Sequence, residues 1–332
     1  MEGGVSFLTD YLSPFIPLFK DESVVEIVVN PDGGVWVENQ GQSHMVQAPS
    51  VKISKPDTDS LASAIAGACK ASLSKNAPIV SGKINVLDYP IRAQVLVSPA
   101  VDDRPSLSFR KYSESQFKMA DIELLHGRLV NLDELRQKKA QAIVELAQNN
   151  DVAAAMQLCI KDRLNIVISG GTSTGKTTFA RALLSEVSKS ERIVTIEDAL
   201  ELFPPQPNKV MLKAERKEGS VISAEKLLEA TLRLRPDRII LGELRGSESK
   251  TFLDAINTGH SGSFTTIHAD TASKAIDRLA LMVMSVGMNM SFEAVRHYCV
   301  NSIDVIVQLG RKNGKRGISE IYIPTMRGNE DD

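Results

Sequence analysis

The sequence predicts an α/β protein in which a C-terminal region of alternating strands and helices follows a smaller α+β region and a helical linker. Compact apolar runs separated by helical segments begin near residue 164, as buried parallel strands do. Short β-branched runs separated by turn residues precede residue 112, and the segment between the two regions is polar and helix-prone. We therefore divide the chain into three parts: 1–112, 113–160 and 161–332.

The first 112 residues combine strands with a helix. Val24–Val29 and Val35–Glu38 are β-branched runs separated by Asn-Pro-Asp-Gly-Gly, a strong hairpin signal. Apolar residues at helical spacing predict a helix from Asp57 to Ser74, with Asp57 or Thr58 as its N-cap. Two further segments alternate as strands do: Ile91–Val97 and Ser106–Arg110.

The helices and strands of the linker and the C-terminal region are predicted from the same patterns of apolar spacing. Helices are predicted in the linker at Ala140–Gln148 and Val152–Ile160. The predicted strands that follow are Leu164–Ser169, Ile193–Ile196, Arg238–Gly242 and Phe264–His268. The predicted helices between them are Thr177–Lys189, Ala224–Leu234, Glu248–Asn257 and Ala272–Met284. A closing hairpin is predicted at Ser302–Gln308 and Gly317–Ile323.

Composition excludes several classes of protein. With 42% hydrophobic and 24% charged residues, the 332-residue chain is not largely disordered. A net charge of -2 argues against a strongly basic nucleic-acid-binding protein, so no specific nucleic-acid binding is expected. The three cysteines are too dispersed for a disulfide framework or a CxxC zinc site. Without a signal-peptide pattern or a sufficiently long apolar stretch, we expect a cytoplasmic protein with no transmembrane segment.

A phosphate-binding loop is predicted where the first C-terminal strand meets its helix. The string Gly-Gly-Thr-Ser-Thr-Gly-Lys-Thr at 170–177 matches GxxxxGK[ST], a loop whose backbone amides surround an anion at a helix N-terminus. Lys176 is expected to neutralise phosphate charge, and the Thr177 hydroxyl to bind Mg²⁺. The predicted nucleotide-binding residues are Gly170, Gly171, Thr172, Ser173, Thr174, Gly175, Lys176, Thr177 and Thr178.

Carboxylates follow two of the predicted strands. Glu243 ends the apolar run that begins at Arg238, which is the Walker B arrangement and places a carboxylate beside the metal. Glu197 and Asp198 follow the strand Ile193–Ile196, whose end faces the same crevice. Glu197 is predicted to be the general base that activates water. Asp198 could instead be the N-cap of a following helix, and the two roles could coexist.

Two histidines flank another predicted strand, in the string Gly-His-Ser-Gly-Ser-Phe-Thr-Thr-Ile-His-Ala-Asp at 259–270. His268, near the strand end, is predicted to sense the γ-phosphate through a hydrogen bond, with a structural role as the alternative. His260 could serve either purpose. Arginines at 233, 235 and 245 flank the Walker B strand. One of them could reach a phosphate, while others could form ion pairs with Glu243 or Glu229.

These motifs together resemble the secretion-ATPase superfamily, and most closely the VirB-eleven family of traffic ATPases in bacterial type IV secretion systems. The resemblance rests on four motifs in order: the Walker A loop at 170–178, the Asp box at 195–202, the Walker B segment at 234–246 and the His box at 259–270. It extends weakly to Leu-Ser-Phe-Arg-Lys-Tyr at 107–112. The zinc element typical of type II secretion relatives needs four cysteines, which this chain lacks.

The resemblance implies a RecA-like P-loop domain, ATP and Mg²⁺ as ligands, and a homo-hexamer with other type IV secretion components as partners at the inner-membrane periphery. In such rings, basic residues of an N-terminal domain and a neighbouring subunit complete the ATP site. Arg110 is the best candidate for that contribution and is assigned a catalytic role with Glu197, Lys176, Glu243 and His268; Arg92 is a weaker candidate. The long linker resembles that of members with a swapped domain arrangement.

Other functions fit the same motifs. A pilus-retraction or type II assembly ATPase would use similar chemistry with different partners. A nucleotide-gated docking scaffold would bind ATP with little turnover. A RecA-like DNA motor is disfavoured because no basic strip with interleaved aromatic residues is evident. Basic clusters at Arg136–Lys139 and Arg311–Arg316 are interpreted as a solvated connector and a hairpin turn.

Overall fold

Two β-sheets organise the chain in a computed structural model that describes residues 3–87, 89–112 and 118–327. The first sheet has six strands in the order β3-β2-β1-β6-β5-β4, each antiparallel to its neighbours. These strands are β1 (Val24–Val29), β2 (Val35–Asn39), β3 (Val46–Gln47), β4 (Ile79–Val86), β5 (Tyr89–Leu96) and β6 (Ser106–Lys111). Three helices accompany them: α1 (Gly3–Leu12), α2 (Ile16–Lys20) and α3 (Lys55–Ala68).

The core of the first sheet forms around Phe109 on β6. The ring centroid of Phe109 lies 6.0 Å from that of Phe15 and 5.9 Å from that of Phe19. The rings of Phe109 and Phe19 pack edge to face. Leu61 and Ile65 of α3 are fully buried in the same cluster, because they lie four residues apart on one helix face. Gly82 lets α3 approach β4, since a Cβ atom there would lie 2.3 Å from Cys69 Sγ.

The predicted cap of α3 is wrong. The N-cap is Ser54, whose hydroxyl oxygen accepts a hydrogen bond from the Asp57 amide; Asp57 and Thr58 lie inside the first turn. The proline at position 56 fits that first turn because its missing N–H would be unpaired there anyway. The helix also ends at Ala68 rather than Ser74, because Lys70 adopts a left-handed conformation with φ of +54°.

The second half of the predicted linker forms two helices, α4 (Leu132–Gln148) and α5 (Val152–Lys161). Asn131 caps α4 and Asp151 caps α5, each by accepting amide hydrogen bonds at the first turn. Both helices bury apolar side chains, such as Ile143 and Cys159, in the core of the second sheet.

The second sheet has seven strands in the order β13-β12-β7-β11-β10-β8-β9. They are β7 (Ile166–Gly170), β8 (Ile193–Glu197), β9 (Lys209–Lys213), β10 (Arg238–Leu241), β11 (Phe264–Ile267), β12 (Val305–Lys312) and β13 (Lys315–Tyr322). All neighbours are parallel except β13, which forms an antiparallel hairpin with β12. The accompanying helices are α6 (Lys176–Glu186), α7 (Ala224–Thr231), α8 (Glu248–Asn257), α9 (Ala272–Met284), α10 (Phe292–Ser302) and α11 (Pro324–Arg327). The predicted α/β fold class is confirmed.

The parallel strands define two edges of the second sheet: an amino edge, where they begin, and a carboxyl edge, where they end. The first sheet contacts the amino edge and strand β9. Ala100 O accepts a hydrogen bond from the Lys213 amide, and Val101 forms a β-bridge with Leu212. Arg235, just before β10, donates to Glu38 of the first sheet at 2.6 Å. At the carboxyl edge, these contacts are confined to the end of β9, where Lys213 pairs with Glu197 of β8.

Arg192 forms the centre of the contact between the sheets. It is fully buried, and its guanidinium donates to Asn30 Oδ1 at 2.6 Å, to Asn208 Oδ1 and to Leu234 O at 2.8 Å. Burial lowers the pKa of Arg192 to about 10, although Glu26 and other carboxylates oppose that effect. With this pKa, Arg192 stays charged at neutral pH. Its hydrogen bonds join Asn30 of the first region to Asn208 and Leu234 of the second.

The state of the cysteines and the character of the helices were both expected from the sequence. Cys69, Cys159 and Cys299 are all free thiols. None of the helices in 3–87, 89–112 and 118–327 combines the length and apolar character required to span a bilayer.

Candidate active site

The phosphate-binding loop lies at the carboxyl edge, between β7 and α6. Gly170 ends β7 where a Cβ atom would lie 2.5 Å from Thr174 Oγ1 and 3.0 Å from Leu309 O, so only glycine fits. Gly175 has φ of +97° and immediately precedes the first residue of α6. The Thr174 hydroxyl donates to Gly171 O at 2.9 Å, which closes the loop on itself.

The groups predicted to act on phosphate share one cavity of about 420 Å³. Its lining includes Lys176, Thr177, Glu197, Glu243 and His268, which come from four different strand ends. The structure therefore brings these predicted residues together. Of the remaining loop residues, those at 173–175 and 178 line the same cavity, whereas those at 171 and 172 line a separate recess that His268 also borders.

Lys176 is held by its own loop and by His268. Its Nζ atom donates to Gly170 O at 2.9 Å and Gly171 O at 3.0 Å, and lies 3.3 Å from His268 Nδ1. Burial lowers the pKa of Lys176, and the negative charge of Glu243 opposes that shift. The three ammonium hydrogens thus have three acceptors, all of which phosphate oxygens could replace.

His268 links Lys176 to Glu243. Its Nε2 atom lies 3.1 Å from Glu243 Oε1, while Nδ1 faces the Lys176 amine. Burial lowers the pKa of His268, which favours the neutral ring at pH 7. The neutral ring then donates from Nε2 to the carboxylate and accepts at Nδ1 from the ammonium group. His268 contacts both predicted phosphate-site groups and lies where it could position them.

Glu243 is kept ionised by its neighbours. Burial would raise its pKa, but the hydrogen bond from Arg245 and the positive charges around it hold the pKa below its ordinary value. Of the three flanking arginines that could pair with Glu243, the structure shows that Arg245 does so. Glu243 thus offers a charged oxygen to the cavity, the kind of ligand that Mg²⁺ prefers.

Glu197 is buried and rigidly held. Its Oε2 atom accepts hydrogen bonds from the amides of Glu201 at 2.9 Å and Leu202 at 3.0 Å, and Oε1 accepts from the Thr195 hydroxyl at 3.0 Å. Burial raises the pKa of Glu197, and the two amide hydrogen bonds partly oppose it. A carboxylate with a raised pKa and an oxygen beside a cavity has the properties of a general base.

The alternative role of Asp198 as the N-cap of a following helix is wrong. No helix follows Asp198 directly, because the next element is strand β9, and Glu197 accepts the hydrogen bonds of the amides of Glu201 and Leu202. Asp198 forms an ion pair with Arg216, which also lies 3.9 Å from Glu248 and lines the cavity. Sequence analysis did not single out Arg216, because it lies in a loop outside every recognised motif.

The other flanking arginines serve different contacts. Arg233 donates to the backbone oxygen of Glu229 at 3.4 Å rather than to its carboxylate, so of the two carboxylates left open for these arginines Arg233 pairs with neither. Arg235 pairs with Glu38 and Asp237 at the amino edge. Neither of these arginines lines the cavity around Lys176.

Arg110 lies at the opposite edge of the sheet from its own phosphate-binding loop. It lines a second cavity, of about 430 Å³, with Arg92, Arg233, Arg235 and His260 at the amino edge. Burial lowers the pKa of His260, whose Nδ1 atom lies 3.2 Å from Ala255 O. Docking of the first sheet against the amino edge causes this placement. Within one chain the structure does not bring Arg110 or His260 to the phosphate site.

Comparison with known proteins shows the family of the chain. The profile of the Type II/IV secretion system protein family matches residues 101–317. The chain belongs to this family. Among its relatives, the type IV secretion system protein VirB11 of Bartonella quintana is 32% identical over 96% of this chain and 93% of its own length. A probable conjugal transfer protein TrbB of Sinorhizobium fredii is 33% identical over 91% of this chain and 83% of its own length.

A solved member of this secretion family has the same fold. The crystal structure of the VirB11 ATPase from the Brucella suis type IV secretion system, in complex with sulphate, superposes with a TM-score of 0.86. The two sequences are 28% identical, and the match covers 98% of each chain. The resemblance drawn from the four motifs is therefore confirmed, and the shared fold includes both sheets.

Proposed function

We propose that this chain is a Mg²⁺-dependent ATP hydrolase that works as a hexameric ring and powers type IV secretion, in substrate transfer or pilus biogenesis. The observation that carries the proposal is the shared cavity at the carboxyl edge. There a phosphate-binding lysine, a hydroxyl, two carboxylates and a histidine converge from separate strand ends. The family membership supports the secretion context, and its members in other organisms are named as type IV secretion and conjugal transfer proteins.

The residues of the cavity fit a magnesium-bound nucleotide. Thr177 and Glu243 would hold the ion, through a hydroxyl oxygen and an ionised carboxylate. In 3–87, 89–112 and 118–327 no cluster of three or more metal-binding side chains occurs. That agrees with Mg²⁺, which usually takes one or two protein ligands and completes its shell with phosphates and water. When bound, the ion would neutralise negative charge on the phosphates.

The other side chains of the cavity have separate roles in hydrolysis. The Lys176 ammonium group donates to phosphate oxygens in place of the loop carbonyls and stabilises the negative charge of the phosphates. Glu197 accepts a proton from the attacking water at Oε1, because Oε2 is occupied by two backbone amides. His268 positions Glu243 and Lys176 relative to each other through its two ring nitrogens.

The ring is inferred from two arginines of the first sheet. Arg92 and Arg110 are direct cross-strand partners on β5 and β6, and both are exposed. Glu26 lies opposite Arg110 on β1, and Arg92 donates to the Tyr112 hydroxyl at 2.8 Å. No carboxylate of the described part of the chain forms a salt bridge with either arginine, and like charges directly opposite each other destabilise a sheet. Because they lie far from their own phosphate loop, the anion they would bind belongs to a neighbouring chain. They would thus complete its ATP site.

The assembly can be tested by measuring ATPase rate against protein concentration, with the mass determined in parallel by light scattering. The wild type should form a hexamer and gain specific activity as it assembles. Arg110→Ala should lose about tenfold or more of that activity, because a phosphate-binding charge supplied from a neighbour is typically worth far more. Lys111→Ala is the matched control: the next residue on β6 faces the other side and donates to Asp21 O.

Two outcomes would contradict the ring. One is a monomer at micromolar concentration with full, concentration-independent activity. The other is an Arg110→Ala variant that is as active as Lys111→Ala under assembling conditions.

A further inference from the structure

The hairpin of β12 and β13 ends in a strongly cationic tip that the roles given so far leave unexplained. The cationic tip consists of Arg311, Lys312, Lys315 and Arg316. The two residues between the strands, Asn-Gly at 313–314, have φ of +52° and +77°. Positive φ at both positions is the conformation of a tight type I′ hairpin, so the turn holds the four cations close together.

The cations of the tip are paired with each other. Arg311 lies directly opposite Arg316, and Lys312 directly opposite Lys315. Among the described residues no carboxylate lies within salt-bridge distance of any of the four. Because like charges directly opposite each other destabilise an antiparallel pair, the tip has an electrostatic cost that an anion would relieve.

The register of the sheet puts this tip beside the phosphate-binding loop. Strand β12 runs parallel to β7, with Leu309 paired to Gly170, the last residue of β7. β12 continues for three more residues past that point, so the tip extends beyond the carboxyl edge. Arg316 lines the same cavity as Lys176 and Thr177. Its Cδ atom lies 3.8 Å from the position that a Cβ atom would take on Gly175.

We propose that Arg316 binds the phosphate chain of the nucleotide in its own chain, from beside the phosphate-binding loop. The inference rests on the proposed nucleotide-binding function and adds a residue from outside the four motifs. A guanidinium group suits this task because its planar donors can bond two phosphate oxygens at once. Lys176 is held by loop carbonyls and by His268, whereas Arg316 enters the same cavity from the hairpin and adds a second positive charge to it.

Lys315 provides a matched control on the same hairpin. It carries the same charge, is exposed like Arg316 and lies next to it on β13. Side chains alternate between the two faces of a strand, so Lys315 points away from the face that Arg316 shares with the cavity. Removing either side chain also relieves one like-charge pair, so the effects of both variants on folding should be small and similar.

The test is a competition assay on the full chain, in which Mg-ADP displaces a fluorescent ADP analogue. Arg316→Ala should weaken ADP binding about tenfold, as expected for loss of a charge-assisted hydrogen bond. Arg316→Lys should fall between that variant and the wild type. Lys315→Ala should stay within about twofold of the wild type, because only the general electrostatic field changes. Unfolding temperatures without nucleotide should agree among the variants.

The salt dependence of binding identifies the phosphate as the contact. ADP binding by Arg316→Ala should weaken less steeply with added salt than binding by the wild type, since one charge pair is gone. A salt dependence equal to that of the wild type would overturn the phosphate contact. Equal losses in Arg316→Ala and Lys315→Ala, or no loss in either, would overturn the role of Arg316. A wild type that does not bind ADP would instead contradict the proposed function itself.

Discussion

The two edges of the second sheet use the same kinds of charged residues for opposite purposes. At the amino edge Arg238 is 2% exposed and donates to Glu191, Ile160 O and Gly262 O. At the carboxyl edge Lys176 is only partly buried, and its acceptors are loop carbonyls and a histidine. Charges whose partners are fixed inside the protein hold elements together, whereas charges that face a cavity with replaceable partners can bind a ligand.

This difference predicts that the two edges separate stability from nucleotide chemistry. Variants of the buried arginines at the amino edge, Arg192 and Arg238, should alter the free energy of unfolding and spare ADP binding. Variants at the carboxyl edge should alter binding or turnover and spare folding. Three experiments test that separation, beginning with the largest effect.

Lys176→Ala should abolish ATP hydrolysis and sharply weaken nucleotide binding, because the charge that contacts the phosphates is lost. Phosphate release and ADP binding are the measurements. Lys250→Ala, which removes an exposed lysine paired with Asp254 on α8, is the control and should behave like the wild type. Wild-type turnover by a folded Lys176→Ala protein would refute the assignment of the phosphate-binding loop.

Arg192→Met should lower the free energy of unfolding by about 3 kcal/mol or more, because it leaves buried partners without their charged donor. Arg296→Met is the control: it breaks an exposed ion pair with Asp277 at 2.8 Å and should cost at most about 1 kcal/mol. Urea unfolding measures both. ADP affinity should stay within about twofold in Arg192→Met. Equal losses of stability in the two variants would remove the distinction between the edges.

Glu197→Gln should leave ATP bound but slow turnover by at least ~10²-fold, the effect of losing a general base. Glu243→Gln should instead weaken Mg²⁺-dependent binding as well as turnover. Single-turnover kinetics and ADP binding with and without Mg²⁺ separate the two. If the phenotypes are interchanged, the base and metal roles must be exchanged. Turnover that is negligible in the wild type and indifferent to Glu197 would favour the nucleotide-gated scaffold.

The central strands of the second sheet were predictable because they are buried on both faces and therefore continuously apolar. The predicted strand Ile193–Ile196 differs from β8 by a single residue, and helix α8 was predicted with both of its ends. Strand β9 and helix α10 were not predicted. β9 buries only Val210 and Leu212 between exposed or half-buried residues, which gives too short a pattern to recognise.

The candidate site was predictable where a local string determines it and unpredictable where distant segments meet. The phosphate loop is a contiguous motif, so its residues follow from the sequence. The contacts of His268 with Lys176 and Glu243 depend on three strand ends that only the folded sheet brings together. The position of Arg110 depends on which edge the first sheet contacts, and no local pattern encodes that choice.

Strand β11 ends near both cavities, and this has a mechanical consequence. His260 lies just before the strand, beside the arginine-lined cavity, and His268 follows it at the phosphate site. The four residues of β11 are all buried, and they span only about 13 Å at the usual rise of an extended chain. Because a close-packed interior is hardly compressible, a shift of this short strand along its axis would move both of its ends together. The strand is therefore a short, buried connection between two cavities at opposite edges of the sheet.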